Sequence, residues 1–322
     1  MAAGALFGVN RGAVPKSGSS GGSSASSVCV VTTSYPAGDG DPAGHFVKAE
    51  VAELERAGHR VTVVTPKAGG AFGWPGAAFR IREKPWRLLE AATWMMRAAA
   101  EIRASRPDRV IAHWSVPCAW PVVTGAHLTG VPLEVVSHGG DVRLLAAAPA
   151  AVRRLVVKQL LRRAKTWRFV SAPLLDRLAA ALDRQDAAAL RSIATIQASP
   201  LAMLDVAEDV RARRSSLGDR PLYVCAGRLV RSKRVDRVID YVASRREGRP
   251  ILVVIGDGPE RARLEKLAQR WQIDVRFLGN TPRRETLVWI ASADELVHAS
   301  IAEGMSTVVR EAEHLGVTIT VL

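Results

Sequence analysis

Cysteine is scarce. The 322 residues hold three, Cys29, Cys118 and Cys225, and no Cys-x-x-Cys pair. That arithmetic excludes a disulfide framework, and because Cys29 and Cys225 sit inside apolar runs, buried reduced thiols are expected, as in a cytosolic protein. Long hydrophobic runs are absent too: no stretch of about 18 apolar residues occurs, so no membrane-spanning helix is predicted. The first 27 residues lack the apolar core of a signal peptide, and 17–27 are almost entirely Ser and Gly, which reads as a disordered leader. Acidic residues are in deficit, 31 against 45 Lys and Arg, for a net charge of +14 that falls mostly in residues 1–200. Such an excess points to a phosphate-bearing partner (nucleic acid, anionic membrane or nucleotide) without choosing among them. Zinc ligands, RNA-recognition aromatics and a basic helix-turn-helix are all missing, which argues against a nucleic-acid partner. So is a dinucleotide fingerprint: "GDGDPAG" (38–44) has the wrong spacing for G-x-G-x-x-G and contains Pro42, which disfavours a nicotinamide-dependent oxidoreductase.

What is present is alternation. Apolar strand-like runs at 28–34, 60–66, 109–114 and 132–138 are separated by helical patterns at 46–59, 85–105 and 117–129. A second series follows, with strands at 221–227, 250–256, 274–279, 295–300 and 317–322 and helices near 233–246, 259–271, 283–292 and 306–315. The expected fold is α/β, with two Rossmann-like doubly wound domains facing a cleft: residues 28–200, then 201–322, with the seam near Ser199-Pro200. In such sheets ligands bind beyond the carboxyl ends of the strands, so the chemistry belongs in the loops there.

Those loops carry specific residues. Arg228 and Lys233 follow the strand at 221–227 at the entry to a helix, where cations beside free N–H groups suit a diphosphate; the same spacing also fits a solvated basic loop. Gly256, in "GDGPE", permits a tight turn and close approach of a ligand, a weak signal alone. In "HASIAEGMSTVVREAEHLG" (298–316) Gly304 supplies a turn, Ser306 or Thr307 can cap the next helix, and the amides of Met305, Ser306 and Thr307 can hold a phosphate. Glu303 and Glu311 flank that position and can grip hydroxyls on either side of it, or stand as solvated helix charges. His138, in "SHGGD", is expected to face the cleft unhindered. Asp39-x-Asp41 has the form of a metal-binding pair but lies in a Gly/Pro loop after a Rossmann strand, and no metal is expected there. His314, three residues after Glu311, reads as a surface side chain. The segment 151–167 alternates apolar and basic residues like an interfacial helix beside anionic lipid, or like an ordinary domain-surface helix.

The ordered set "GHFVKAEVAELERAGHRVTVVTP", "RPDRVIAHWSVP", "GVPLEVVSHGGDV", "CAGRLVRSKRVDRVI", "VVIGDGPERARLEKLA", "VRFLGNTPRRE" and "SADELVHASIAEGMSTVVREAEHLGV" resembles the retaining glycosyltransferases of family 4, the group 1 glycosyltransferases of GT-B fold, over residues 28–322. The resemblance implies a nucleotide-diphosphate sugar as donor substrate, no separate cofactor, no metal, and a glycan or lipid-linked acceptor in polysaccharide or cell-envelope synthesis. It implies that Arg228 and Lys233 bind the donor diphosphate and that Glu303 faces the donor sugar. By the same match Glu311 binds the nucleotide ribose, His138 lies near the sugar, and Gly44 belongs to the turn approaching the diphosphate. A degenerate, non-catalytic relative is the alternative, against which the retained Arg228, Lys233, Glu303 and Glu311 argue. Relatives usually continue beyond "GVTITVL", so the second domain is expected to be truncated and this chain to be less stable and less active than a longer one. The expected location is the cytoplasm, peripheral to the inner membrane face.

Overall fold

The computed structural model describes residues 26–38, 41, 43–67, 69–72, 77–245, 247–301 and 305–322. Most of the leader, Asp39 and Glu303 lie outside them.

The first sheet has six parallel strands: β1 (Ser27–Val31), β2 (Arg60–Val64), β3 (Arg109–His113), β4 (Leu133–Ser137), β5 (Ala164–Phe169) and β6 (Ala194–Ile196). Their order is β2-β1-β3-β4-β5-β6. The second has five, β7 (Leu222–Ala226), β8 (Ile251–Ile255), β9 (Asp274–Gly279), β10 (Glu295–His298) and β11 (Thr318–Val321), ordered β11-β10-β7-β8-β9 and again parallel. Helices cover both faces, so central runs such as 28–31 in β1 and the whole of β8 are apolar on both sides. In β1, Cys29 and Val31 enter one core while Val28 and Val30 enter the other, on the opposite face. In β8, Leu252 and Val254 face one way and Ile251, Val253 and Ile255 the other. All three thiols are buried; burial pushes Cys29 and Cys225 up to about 12 and Cys118 well above its usual value, so they are inert.

The helices that bear on function are α1 (His45–Arg56), α2 (Ala77–Glu83), α3 (Arg87–Ser105), α4 (Gly140–Ala147) and α5 (Ala150–Arg163) in the first half. After α6 (Ala172–Ala180), α7 (Arg184–Ile193) and α8 (Ala207–Leu217), the second half adds α9 (Val235–Ala243), α10 (Arg261–Trp271), α11 (Arg283–Ser292) and α12 (Thr307–His314). The connecting segment is fastened to the second half: Arg310 donates to the Ser199 carbonyl at 2.6 Å and Arg283 to that of Ala202 at 3.0 Å, while Met203 and Val206 pack on Leu287 and Val288.

Four expectations need correction. Ser27, assigned to the leader, opens β1. The helix expected at 117–129 is an irregular helical segment, Ser115–Val123, interrupted at Val116 and Trp120, because Pro117 and Pro121 cannot sustain a regular hydrogen-bond ladder. The basic helix of 151–167 ends at Arg163; the remainder is β5, whose Trp167 is wholly buried and donates to Ser137 Oγ at 3.0 Å. Within α5, Val156, Val157 and Leu160 are core residues, and Arg153 caps the end of α4 through the carbonyls of Ala146 and Ala148. His138 is also less open than expected, as shown below.

Candidate active site

In the second sheet the chain runs outward from β7 in both directions, so a crevice opens between the carboxyl ends of β7 and β10. The loops beyond these strands are tied together there: the Ile301 amide and Ser300 hydroxyl both donate to the Ser232 carbonyl, at 3.1 and 3.4 Å. Arg228 and Lys233 lie in the loop after β7, with the Lys233 stem crossing Gly227. Burial, then the field of Arg143, holds the Arg228 guanidinium below its usual value. Burial, then Arg228, with a smaller effect of Arg143, brings Lys233 down to about 8. Arg143 belongs to α4 of the first domain, so cations from both domains converge on one place. His298, at the end of β10, is brought down to about 4 by burial and then by Lys233, and is neutral at physiological pH. Burial and mutual repulsion both work against the charged forms of Arg228 and Lys233, and an anion bound among them would favour those forms.

Two glycines shape the walls. Gly256, at φ +119°, would place a β-carbon 2.0 Å from the Gly227 carbonyl oxygen, so its bare face lets the loops after β7 and β8 touch. Gly44, at φ +71°, stands just before α1, where a β-carbon would lie 2.0 Å from the Ser34 carbonyl oxygen. Both glycines are required by loop-on-loop packing. In the same first-domain loop, Asp41 accepts from the amides of Ala43 (2.9 Å) and Ala37 (3.1 Å), so its carboxylate organises its own turn.

Glu311 lies in α12 and is almost completely buried. Its Oε1 accepts from Arg283 at 2.7 Å and lies 3.4 Å from Nε2 of His45, the first residue of α1 in the opposite domain. The carboxylate is therefore fixed at the domain junction and is not a solvated helix charge. Ser306 occupies the N-cap position of α12 without a side-chain capping bond; Thr307 begins the helix and Met305 is exposed. His314 is exposed, as expected.

His138 follows β4. Its Nε2 is 2.9 Å from Nδ1 of His113, and Phe46 and Trp114 pack on its ring at centroid distances of 4.8 and 4.6 Å. Its backbone is held by Asp141, which accepts from the amides of His138 (3.1 Å) and Gly139 (3.0 Å) and from the amide and hydroxyl of Ser115 (both 2.8 Å). Burial, then His113, keeps His138 well below the usual histidine value, so the ring is neutral. A ring caged this way cannot swing freely into the cleft; it presents only the edge its cage leaves open.

The structure thus sets Arg228 and Lys233 beside His298 on the second domain, joins α12 to the start of α1, next to Gly44, through Glu311 and His45, and packs His138 on Phe46 of the same helix. Sequence reasoning missed Arg143, His113, His45 and Arg283. Arg143 lay within sight, five residues after His138 on the helix that "SHGGD" opens; the other three act through space and leave no spacing signal. Among the described residues no cluster of three His, Cys, Asp or Glu could hold a metal ion.

Two doubly wound sheets, with a cation-lined crevice at the switch point of the second, define the architecture of the GT-B enzymes. Residues 207–321 match the family profile of the group 1 glycosyl transferases, and residues 43–191 match that of the glycosyl transferase 4-like domain. The chain belongs to the group 1 glycosyltransferases and is an enzyme of that class. It is 24% identical over 319 residues to TuaC of Bacillus subtilis, a glycosyltransferase assigned to teichuronic acid biosynthesis, covering 90% of this chain and 79% of the relative. It is 27% identical over 315 residues to the GDP-mannose-dependent α-(1-6)-phosphatidylinositol monomannoside mannosyltransferase of Mycolicibacterium smegmatis, covering 90% and 78%. Among solved structures, Anabaena Alr3699/HepE in complex with UDP-glucose superposes with a TM-score of 0.63 at 18% identity over 92% of this chain and 80% of that one. The catalytic domain of starch synthase IV from Arabidopsis thaliana, bound to ADP and acarbose, gives 0.65 at 16% identity over 93% and 83%.

Proposed function

We propose that the enzyme moves a sugar, with retention of anomeric configuration and without a metal, from a nucleoside-diphosphate donor to a glycan or lipid-linked acceptor of cell-envelope or polysaccharide synthesis. Residues 201–322 hold the donor and residues 28–200 serve the acceptor side. The observation that carries the reading is the convergence of Arg143, Arg228 and Lys233 at the switch-point crevice. Glycosyl transfer breaks the bond from the sugar C1 to a phosphate oxygen, and positive charge held at that oxygen is the main catalytic lever. The acceptor oxygen bonds to C1 on the face the diphosphate leaves, and the acceptor proton passes to the departing phosphate oxygen, so no protein base is needed. In this reading Glu311 binds the ribose, Glu303 faces the sugar, the amides of Met305, Ser306 and Thr307 cradle phosphate, and the packing at Gly44 and Gly256 lets the loops approach the donor. The names of the relatives support an envelope glycan as product.

A thermal-unfolding screen of UDP-, GDP- and ADP-sugars tests the reading. One donor class should raise the melting temperature at millimolar concentration, and Glu303→Gln should keep that shift while losing most of the turnover. No shift with any of the three would contradict a donor site.

Among the described residues no helix is long and apolar enough to cross a membrane. A lipid-linked acceptor instead calls for a peripheral contact from the cytoplasmic side. In α5, Val152, Leu155, Arg154 and Arg162 are exposed. The stretch around α2 and the start of α3 exposes Phe79, Trp86, Leu88 and Leu89 beside Arg82 and Lys84, an apolar tip within a basic rim. The full-length protein is expected to co-sediment with vesicles rich in phosphatidylglycerol at low salt. Leu88→Ser with Leu89→Ser, or Arg154→Glu with Arg162→Glu, should reduce this without changing donor binding. Indifference of the unsubstituted protein to such vesicles would end the membrane reading.

A further inference from the structure

Behind His138 lies a buried chain of polar side chains that the donor site does not use. His113, the last residue of β3, is fully buried, and its ring lies nearly parallel to that of His138 at 16°. Its Nδ1 faces His138 Nε2 at 2.9 Å, and its Nε2 faces Glu50 Oε2 at 3.8 Å. Both of the latter atoms are buried and make no hydrogen bond. Glu50, on α1, is held in place through its other oxygen by Arg168 of β5, and Arg168 in turn pairs with Glu134 of β4 at 2.8 Å. The chain runs Glu134, Arg168, Glu50, His113, His138, and ends at the cleft between the domains.

Two neutral imidazoles in this contact share one proton, and the tautomer of one dictates that of the other. The carboxylate of Glu50 decides which. It can only accept, so a His113 lone pair aimed at it would be repelled, whereas an Nε2–H is attracted. With its proton on Nε2, His113 has an unprotonated Nδ1 that accepts from His138 Nε2–H. The Nδ1 of His138 is then the ring's one free lone pair.

We propose that Glu50 and His113 are positioning residues that lock His138 in its Nε2–H tautomer, so that the enzyme presents an unprotonated Nδ1, a hydrogen-bond acceptor, toward a hydroxyl of the donor sugar. The placement of His138 at the sugar rests on the proposed function; the tautomer lock rests on the geometry alone. Burial, then Arg168, brings His113 down to about 3, consistent with a ring that stays neutral while it relays this preference.

The lock predicts an unusual consequence of a one-atom change. In Glu50→Gln, Arg168 continues to demand an oxygen, so the amide carbonyl stays toward Arg168 and the NH2 turns to His113 Nε2. His113 must then carry its proton on Nδ1, and His138 must move its own from Nε2 to Nδ1. Nitrogen-15 histidine NMR of the full chain, with the His138 signals identified by their loss in His138→Gln, reads this directly. His138 should be Nε2–H in the unsubstituted protein and Nδ1–H in Glu50→Gln. Turnover of UDP-glucose or GDP-mannose, whichever stabilises the protein, should fall roughly tenfold with donor KM changed less than about twofold, the scale typical of losing an outer partner of a functional histidine. His113→Asn, whose carbonyl can still accept from His138 Nε2–H, should retain most of the turnover that His113→Leu loses. An Nδ1–H tautomer in the unsubstituted protein, or an unchanged tautomer in Glu50→Gln, would overturn the lock. If Glu50→Gln does not fold, equal turnover in His113→Asn and His113→Leu overturns it instead. If His138→Ala leaves turnover intact, the role of His138 at the sugar fails while the tautomer result stands.

Discussion

Arg228→Ala is expected to weaken a nucleoside diphosphate by about 1.5–3 kcal/mol, while the matching nucleoside binds nearly as before. The selectivity of the loss is the point: a guanidinium that only braces the loop would weaken both ligands alike, and such a result would contradict its role. Lys233→Met should behave the same way and adds a pH signature. Lys233 titrates at about 8 in the empty site, lowered by burial and then by Arg228. Diphosphate affinity should therefore hold steady at neutral pH and fall as pH rises through about 8, with nucleoside affinity flat throughout. The sign of the stability effect is opposite. The folded value lies below the 10.5 of an ordinary lysine, so between about pH 8 and about pH 10.5 the unfolded chain holds the extra proton. The penalty of the charged side chain is thus fully present at neutral pH and fades as pH rises through that window. Lys233→Met should raise the melting temperature of the empty enzyme while destroying its discrimination for diphosphate, and a calorimetric titration with a melting curve reads both.

Glu311→Ala is expected to cost about 3 kcal/mol of stability as well as nucleotide affinity, because it strands Arg283 at the domain junction. Separating the two effects requires the double variant. Arg283→Met with Glu311→Ala should recover much of the stability, since no unpaired charge remains, and should still bind nucleoside diphosphate poorly. Should the double variant bind as well as the unsubstituted enzyme, Glu311 would be a structural partner of Arg283 and not a ribose ligand. Glu311→Gln gives the milder case: shape is kept and the charge lost, so nucleotide affinity should fall more than stability.

The strands were legible because a parallel sheet covered on both faces demands unbroken apolar runs such as 28–31 and 251–255, which few other environments do. β5 was not, because "AKTWRF" follows a basic helix with no Gly or Pro between them; what breaks the helix is the burial of Trp167 and Phe169, a tertiary effect. The Ser115–Val123 segment departs from expectation for the opposite reason: an apolar run of helical length predicts a regular helix, and its two prolines interrupt it. The residues of the cation site could be found because Arg228 and Lys233 share one loop. Arg143 lies close to His138 in the chain, but only the fold brings its charge to them from the other domain; the His113–Glu50 pair behind His138 leaves no signal at all. A histidine ending one strand and a glutamate in a helix some sixty residues earlier become neighbours only once β3 packs beside α1.

The most direct test of the central claim follows the anomeric proton of the donor sugar by NMR while the enzyme, a nucleotide sugar and water or an acceptor glycan are present. The account predicts that the donor signal decays, that the first-formed product keeps the donor's anomeric configuration, and that Arg228→Ala suppresses the decay. An inverted first product would contradict retention, and no decay with UDP-, GDP- or ADP-sugars would contradict glycosyl transfer from a nucleotide donor at the Arg143–Arg228–Lys233 site.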